Sequence, residues 1–526
     1  MALFELTLVL LFAAVVLAAI ARRVGAPYPA LLALAGAAIA FVPNAPVIEL
    51  DPDLALTLFV APVLLDAAFD TSPRDLRRNT ISLVSLVVVM VGLTTAAVAW
   101  LGWRYAGLPW AAAIALGAIV APPDAAAGAA ILRQLNLPRR ILHILQGESL
   151  LNDATALLVY RIAVALALGG VSLTRMAPMV ALSVVGSLAA GYVLARLYGV
   201  MIGRVRDAAS LAVLSFVGTF GVWILAEQLQ LSAIVTVVVY AMTLANGVER
   251  QTLARNRIST YSVWETVVFV LNVLAFMIMG LQARPILERL ADGERQEAIA
   301  FALAVLAVVI VVRIVYVLAY NAAVRAKNRR FGVRLPEGLE PPTFKGGVVV
   351  AWCGMRGLVT LAAAFALPAG FPGRDTIVLA AFTVVLGTLV LQGFTLGPLI
   401  SWLAFEPDSD DEREVSLGRT AMLRAAIAGL EGDDSAAAAA VRHDYRAACA
   451  IAQDVGRPQG ATAQDELRLA AIGTQRETLN RLRASGDIGD EAYHRLQEEL
   501  DWAELNAAPA GAFQPLATEG EAPAGR

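Results

Sequence analysis

The sequence predicts an all-α polytopic membrane protein with a soluble helical tail. Three observations carry this prediction. Apolar residues make up 58% of the 526 positions and the mean hydropathy is +0.67, well above the composition of ordinary soluble domains. The apolar residues gather into runs of roughly 20, the length that crosses the hydrocarbon core as helix. Basic residues fall on alternate loops between those runs.

Hydropathy places about thirteen spans, over residues 3–21, 28–43, 53–70, 80–101, 110–132, 141–168, 177–200, 209–228, 231–247, 261–282, 297–321, 346–368 and 375–404. The first run carries Glu5 early and is followed by Arg22 and Arg23, where a signal peptide would offer small residues for cleavage, so it reads as a retained span. Arg22/Arg23, Arg74/Arg77/Arg78, Arg133/Arg139/Arg140, Arg204/Arg206, Arg250/Arg255/Arg257 and the run from Arg325 to Arg334 occupy every second loop. The intervening loops hold Glu49, Asp51 and Asp53, or Glu288 and Asp292 among mixed charges. By the positive-inside rule the N-terminus is outside and the tail cytoplasmic, which requires an odd number of spans.

The fifth and twelfth spans are internally broken. The fifth contains Ala121-Pro122-Pro123-Asp124, where two prolines remove backbone donors and disfavour helix before them. The twelfth contains Cys353-Gly354-Met355-Arg356-Gly357, two glycines around a charge. They take corresponding positions if spans one to six and eight to thirteen form an inverted repeat. Interrupted segments at matching places point to a midplane binding site in a secondary transporter.

From about residue 405 the composition turns charged and alanine-rich. Residues 1–404 read as a transmembrane unit and 405–526 as a cytoplasmic tail, with helical patterns at Asp465 to Leu482 and Asp490 to Leu505 and a disordered Ala/Pro/Gly/Glu end. The tail reads either as regulatory or as a solvated appendage.

Several function classes are excluded or demoted. The net charge of −3 sums a basic-looped membrane part and an acidic tail, and no basic tract suggests nucleic acid. Cys353 and Cys449 form no disulfide framework, and His143, His443 and His494 lack ligand spacing. No HExxH, GxxxxGK[ST] or GxSxG stretch occurs, so no cofactor is expected.

The chemistry concentrates in Gly147 to Tyr160, GESLLNDATALLVY, which sets two acids, an amide and a hydroxyl inside an apolar span. Charge at that depth must be offset by a partner, an ion or a wet path. Helical phase puts Ser149 and Asp153 on one face, with Glu148 and Asn152 on a neighbouring one. Asp124 follows the double proline. If spans five and six touch, Asp124, Asp153, Ser149 and the Pro123 carbonyl make an all-oxygen cage suited to a hard monovalent cation. The alternative for Asp124 is a carboxylate that neutralises a half-helix N-terminus; for Asp153 it is a structural ion pair.

Arg313, in IVVRIVYVLAY, needs a buried anion, and Glu148 is the favoured partner; Arg356 competes for it. Arg356 alternatively offsets helix C-terminal ends at the span-twelve break. Asp70 and Glu265 read as interfacial and Asn272 as a helix contact. Arg161 and Asp66 receive no assignment.

The stretches GAIVAPPDAAA, GESLLNDATALLVYRIA, ETVVFVLNVLAFMIMGLQ, CGMRGLVTLA and VLGTLVLQGFTLGPLI together resemble the monovalent cation/proton antiporter family that contains the sodium/proton exchangers. The resemblance runs in order through residues 1–404. It implies a thirteen-helix homodimer with a mobile six-helix core in which two unwound helices cross. It also implies that Asp153, preceded by Asn152, carries the cation or proton. Asp124 and Ser149 match further cation positions, and Glu148 pairs with an arginine of the eleventh helix, here Arg313. Many members have Thr-Asp where this chain has Pro123-Asp124, so a hydroxyl is replaced by a backbone carbonyl.

The expected function is exchange of Na+ or Li+ for H+ across the plasma membrane, one for one, since Asn152 stands where a second acid would otherwise sit. K+/H+ exchange is the nearest alternative. A cation channel lacks a carbonyl filter such as TVGYG, and a membrane-embedded enzyme lacks a nucleophile or metal set.

Overall fold

The computed structural model describes residues 2–24, 26–43, 51–124, 137–169, 173–247, 254–290, 293, 295–331, 343–405, 410–453, 463–485 and 487–507. These residues form helices and connecting turns, with no strand among them. They divide into two compact units, Met1–Glu406 and Pro407–Arg526.

The first unit holds α1 (Ala2–Val24), α2 (Tyr28–Ala40), α3 (Pro52–Phe69), α4 (Thr80–Tyr105), α5 (Trp110–Val120), α6 (Arg139–Ala167) and α7 (Leu173–Ile202). It continues with α8 (Ala208–Gln228), α9 (Ala233–Gly247), α10 (Ala254–Leu281), α11 (Arg295–Phe331), α12 (Phe344–Trp352), α13 (Leu358–Phe365) and α14 (Arg374–Leu403). Among the described residues eight helices are long and apolar enough to cross a membrane, and shorter apolar helices accompany them. Large apolar side chains on α1, α7 and α8 point outward, as Phe12, Leu182 and Val213 do. That surface suits lipid better than water.

Helix ends are set by local chemistry. Pro52 opens α3 while the Asp51 carboxylate accepts from the Asp53 and Leu54 amides at 3.0 Å and 2.9 Å, satisfying donors that a first turn leaves free. Thr343 caps α12 by accepting from the Gly346 amide at 3.0 Å. α3 and α4 each contain a π-helical turn, Leu56–Val60 and Ser85–Met90. In α4 the Ser85 carbonyl accepts from the Tyr316 hydroxyl of α11 at 3.2 Å. A side-chain partner for a carbonyl displaced from the regular ladder is one way such a turn persists.

α2 and α10 approach backbone to backbone. A Cβ at Gly36 would lie 2.3 Å from the Met277 carbonyl, and one at Gly280 would lie 2.2 Å from the Ala33 carbonyl. Small residues at a helix crossing permit this contact in a membrane protein.

The interior holds the end of α5 and the interruption between α12 and α13. α5 ends at Val120 and residues 121–124 are not helical, while α12 and α13 are separated by the non-helical stretch Cys353–Gly357. Ala112, Ala115, Leu116, Ala118 and Val120 of α5 are buried, as are Val349, Ala351, Leu361 and Ala363 on the other pair. The part of the fifth expected span beyond residue 124 lies outside the described residues. α11 runs to Phe331, ten residues past the end expected from hydropathy, because its last turns are basic and helix-forming without being apolar.

The second unit contains α15 (Asp410–Gly429), α16 (Ala436–Gln453), α17 (Ala463–Ser485) and α18 (Asp490–Ala507). α17 and α18 pack together; Arg476 pairs with Asp501 and Glu504, and Arg483 meets Asp490 at 2.9 Å. The terminal stretch expected to be disordered lies outside the described residues.

Candidate functional site

The end of α5, the interruption between α12 and α13 and the middle of α6 meet inside the first unit. The Asp124 amide donates to the Met355 carbonyl at 2.7 Å, tying the residues that follow α5 to the centre of that interruption. The Asp124 carboxylate accepts from the Leu358 amide at 3.3 Å, at the N-terminus of α13, where an anion is favoured by the helix dipole. Asp124 thus does have the half-helix contact that the sequence offered as an alternative role.

α6 enters this junction with four polar residues, all buried: Glu148, Ser149, Asn152 and Asp153. The Ser149 hydroxyl donates to the Pro123 carbonyl at 3.2 Å, and the Asn152 amide nitrogen donates to the same oxygen at 3.4 Å. Helical phase grouped Asn152 with Glu148, yet it shares Pro123 with Ser149, since residues three apart on a helix are also neighbours. Asn152 Oδ1 has no hydrogen-bond partner among the described residues and Asn152 is fully buried. Asp153, only 6% exposed, lies within electrostatic reach of Asp124. No ion pair of Asp153 occurs among the described residues.

Glu148 turns the other way. Its oxygens receive Arg313 Nη1 at 2.5 Å and Nη2 at 2.9 Å, the fork geometry that makes Arg the residue for buried carboxylates. Arg313 Nη2 also donates to the carbonyls of Val350 and Cys353 at 3.0 Å and 2.9 Å. Those are unsatisfied C-terminal carbonyls of α12.

Arg356 is fully buried and no carboxylate pairs with it among the described residues. It donates through Nε to the Val120 carbonyl at 3.1 Å, through Nη2 to Ala121 at 3.3 Å and through Nη1 to Gly354. The competition for Glu148 is therefore settled by geometry: Arg313 takes the acid and the end of α12, and Arg356 takes the end of α5.

The two glycines of the break leave room for these partners. A Cβ on Gly354 would lie 2.5 Å from Arg313 Cδ, and one on Gly357 would lie 1.3 Å from Asp124 Oδ2. Two α14 residues went unnoticed in the sequence. Thr388 Oγ1 accepts from the Arg356 amide at 3.0 Å, and Gln392, fully buried, finds no protein partner for either amide atom among the described residues. The signal was available as a hydroxyl and an amide four apart, on one face of a largely apolar helix.

Of the remaining charges, Arg161, Asp70 and Glu265 are exposed and Asp66 is half-buried.

A family model described as sodium/hydrogen exchanger, transmembrane, matches residues 9–402. The chain belongs to the sodium/hydrogen exchanger family. As an exchanger it is 31% identical to an uncharacterised Na+/H+ exchanger of Mycobacterium tuberculosis, over 92% of each chain. It is 28% identical to a sodium, potassium, lithium and rubidium/H+ antiporter of Bacillus pumilus, covering 91% of this exchanger and 74% of that protein. In fold it is similar to the sodium proton antiporter MjNhaP1 from Methanocaldococcus jannaschii, with a TM-score of 0.60 at 18% identity over 78% of this exchanger and 99% of that chain.

Proposed function

We propose that this exchanger carries Na+ or Li+ in one direction and H+ in the other, one for one, by alternating access at Asp153. The observation that carries the reading is the convergence of the Asp124 carboxylate, the Pro123 carbonyl, the Ser149 hydroxyl and the unpartnered Asn152 Oδ1 around α6 next to Asp153. Hard monovalent cations are held by oxygen, and no cationic side chain pairs with Asp153 among the described residues. A charged carboxylate left alone at membrane depth is costly. Asp153 is neutralised either by a proton or by a cation, and only a loaded site changes its facing state at low cost. A ligand drives such a change only through unequal affinity for the two states.

In this reading Asp153 carries the exchanged proton, while the Asp124 carboxylate stays with the Leu358 amide at the start of α13. Asn152 carries no proton to exchange, and both Glu148 oxygens are taken up by Arg313, so a single proton exchanges for a single cation. Arg313 and Arg356 keep the two half-helix ends, and thereby the site, in place.

The surrounding assembly belongs to the same proposal. Residues 1–404 form thirteen spans with an inverted repeat, the tail from 405 is cytoplasmic and regulatory, and two chains associate in the plasma membrane. Basic residues on alternate loops support the orientation.

A second reading is exchange that also accepts K+. A backbone carbonyl at Pro123 replaces a hydroxyl common in the family, and one relative is named for potassium and rubidium besides sodium and lithium. Proteoliposomes loaded with a pH dye and challenged with NaCl, LiCl and KCl separate the two readings. A response to Na+ and Li+ alone supports the first, and an equal response to K+ supports the second.

A further inference from the structure

At the basic end of α11 an apolar groove opens on the outer surface of the first unit. Its volume is about 480 Å³, and it is walled by Ile314 and Leu318 of α11, Val348 and Trp352 of α12, and Leu399 and Trp402 of α14. Its few polar atoms are already used. Trp352 Nε1 donates to Thr395 Oγ1 at 2.9 Å, and that hydroxyl donates to the Leu391 carbonyl at 2.5 Å. A soluble polar ligand therefore finds nothing in the groove to bond. Around it the surface stays apolar: Val311, Val315, Leu391 and Phe394 are exposed and Trp402 is 79% exposed. Trp at the end of a span is the residue of the membrane interface.

The mouth has the opposite character. Ile314, Leu318 and Arg325 lie on one stripe of α11, since steps of four and seven residues return to the same face. Lys345 and Trp352 share a stripe of α12 for the same reason. Arg325 lies over the Phe344 ring at 5.6 Å, and Lys345 donates to the Ala404 carbonyl at 3.1 Å. Both cations thus stand where α11, α12 and α14 end together. Among the described residues no carboxylate pairs with Arg325, Lys327, Arg329, Arg330 or Lys345. From Ile314 to Arg325 the helix rises about 16 Å, close to half the hydrocarbon thickness of a bilayer.

We infer that this groove binds an anionic phospholipid, with one acyl chain between α11, α12 and α14 and the headgroup phosphate at Arg325 and Lys345. Groove and mouth are complementary to the two ends of one lipid: hydrocarbon for half a bilayer, then unpaired positive charge at the interface. The site is separate from the cation junction and does not depend on how exchange is carried out. Because Arg313 and the end of α12 are on the inner side of the same helices, an occupied groove braces the helix pair that carries the break.

Mass spectrometry of the intact, purified protein tests this, with phosphatidylglycerol or phosphatidylcholine added in neutral detergent. The wild type is expected to retain phosphatidylglycerol under activation that strips phosphatidylcholine. Arg325→Gln with Lys345→Gln is expected to weaken phosphatidylglycerol by about thirtyfold, the factor for two basic residues near a membrane surface, while leaving phosphatidylcholine unchanged. Leu318→Trp, which fills the groove, is expected to reduce both lipids. Equal retention of the two lipids by the wild type, unchanged phosphatidylglycerol in the double variant, or a groove-filled protein that is monodisperse and still retains lipid overturns the inference. The double variant changes only exposed or half-exposed positions, so it remains informative if Leu318→Trp does not fold.

Discussion

Glu148 and Arg313 meet through two hydrogen bonds of 2.5 Å and 2.9 Å, with side-chain exposures of 1% and 0%. The same guanidinium closes the carbonyl end of α12. An ion pair between α6 and α11 is in this way also a helix cap, and it fixes the helix that bears Asp153 against the helix that bears the break.

Removing either partner leaves a buried charge uncompensated, at a cost of about 3–5 kcal/mol. Glu148→Ala and Arg313→Ala are each expected to lower yield and melting temperature, measured by fluorescence-detected thermal unfolding. The double variant should lose less than the sum of the two. Additive losses would show that the pair does not act as a unit.

Gly357 has no room for a side chain. Gly357→Ala places a Cβ on the Asp124 carboxylate and is expected to push it away from the Leu358 amide. Losing a hydrogen bond to a charged group costs about 1.5–3 kcal/mol, so cation-driven proton flux should fall about tenfold or more. The Glu148–Arg313 pair is untouched, and the amount of folded protein should change less than in the ion-pair variants.

On the proposed one-for-one account Asp153 is the acid that exchanges its proton, and Asn152 stands where a further acid would sit. Asn152→Asp adds that acid and removes the donor to Pro123. Any exchange that survives should become sensitive to membrane potential, because two protons can then move against one cation. Proteoliposomes held at set potentials with K+ and valinomycin read this directly, and exchange that stays indifferent to potential would count against the one-for-one account.

Gln392 is a stability liability within the protein. A buried amide without partners costs about 1–3 kcal/mol, and a flexible apolar replacement of similar length fits its place. Gln392→Met is expected to raise the melting temperature. A fall would mean that the amide is satisfied by something other than the side chains described here.

Much of this architecture was legible in the sequence because a bilayer imposes long apolar runs and alternate basic loops. The break between α12 and α13 was legible too, as was the end of α5, since Gly354/Gly357 and Pro122-Pro123 are residues that helices avoid. Pairing across the fold was harder to read. Nothing local says that Arg313, not Arg356, reaches Glu148, because both are lone cations at membrane depth; the choice depends on which helix end each one meets. Asn152 sits with Ser149 for a reason equally invisible in phase alone, as the Pro123 carbonyl lies between their faces. Thr388 and Gln392 escaped notice because uncharged polar residues in apolar helices are common packing elements. The end of α11 was misplaced by hydropathy, which follows the membrane and not the helix.

The most direct test of the central claim is proton flux through Asp153→Asn in proteoliposomes challenged with a Na+ gradient. With the protein folded and monodisperse, the account predicts that Na+-driven flux is abolished, while the Glu148–Arg313 pair keeps thermal stability near that of the wild type. Exchange at the wild-type rate in Asp153→Asn would contradict it.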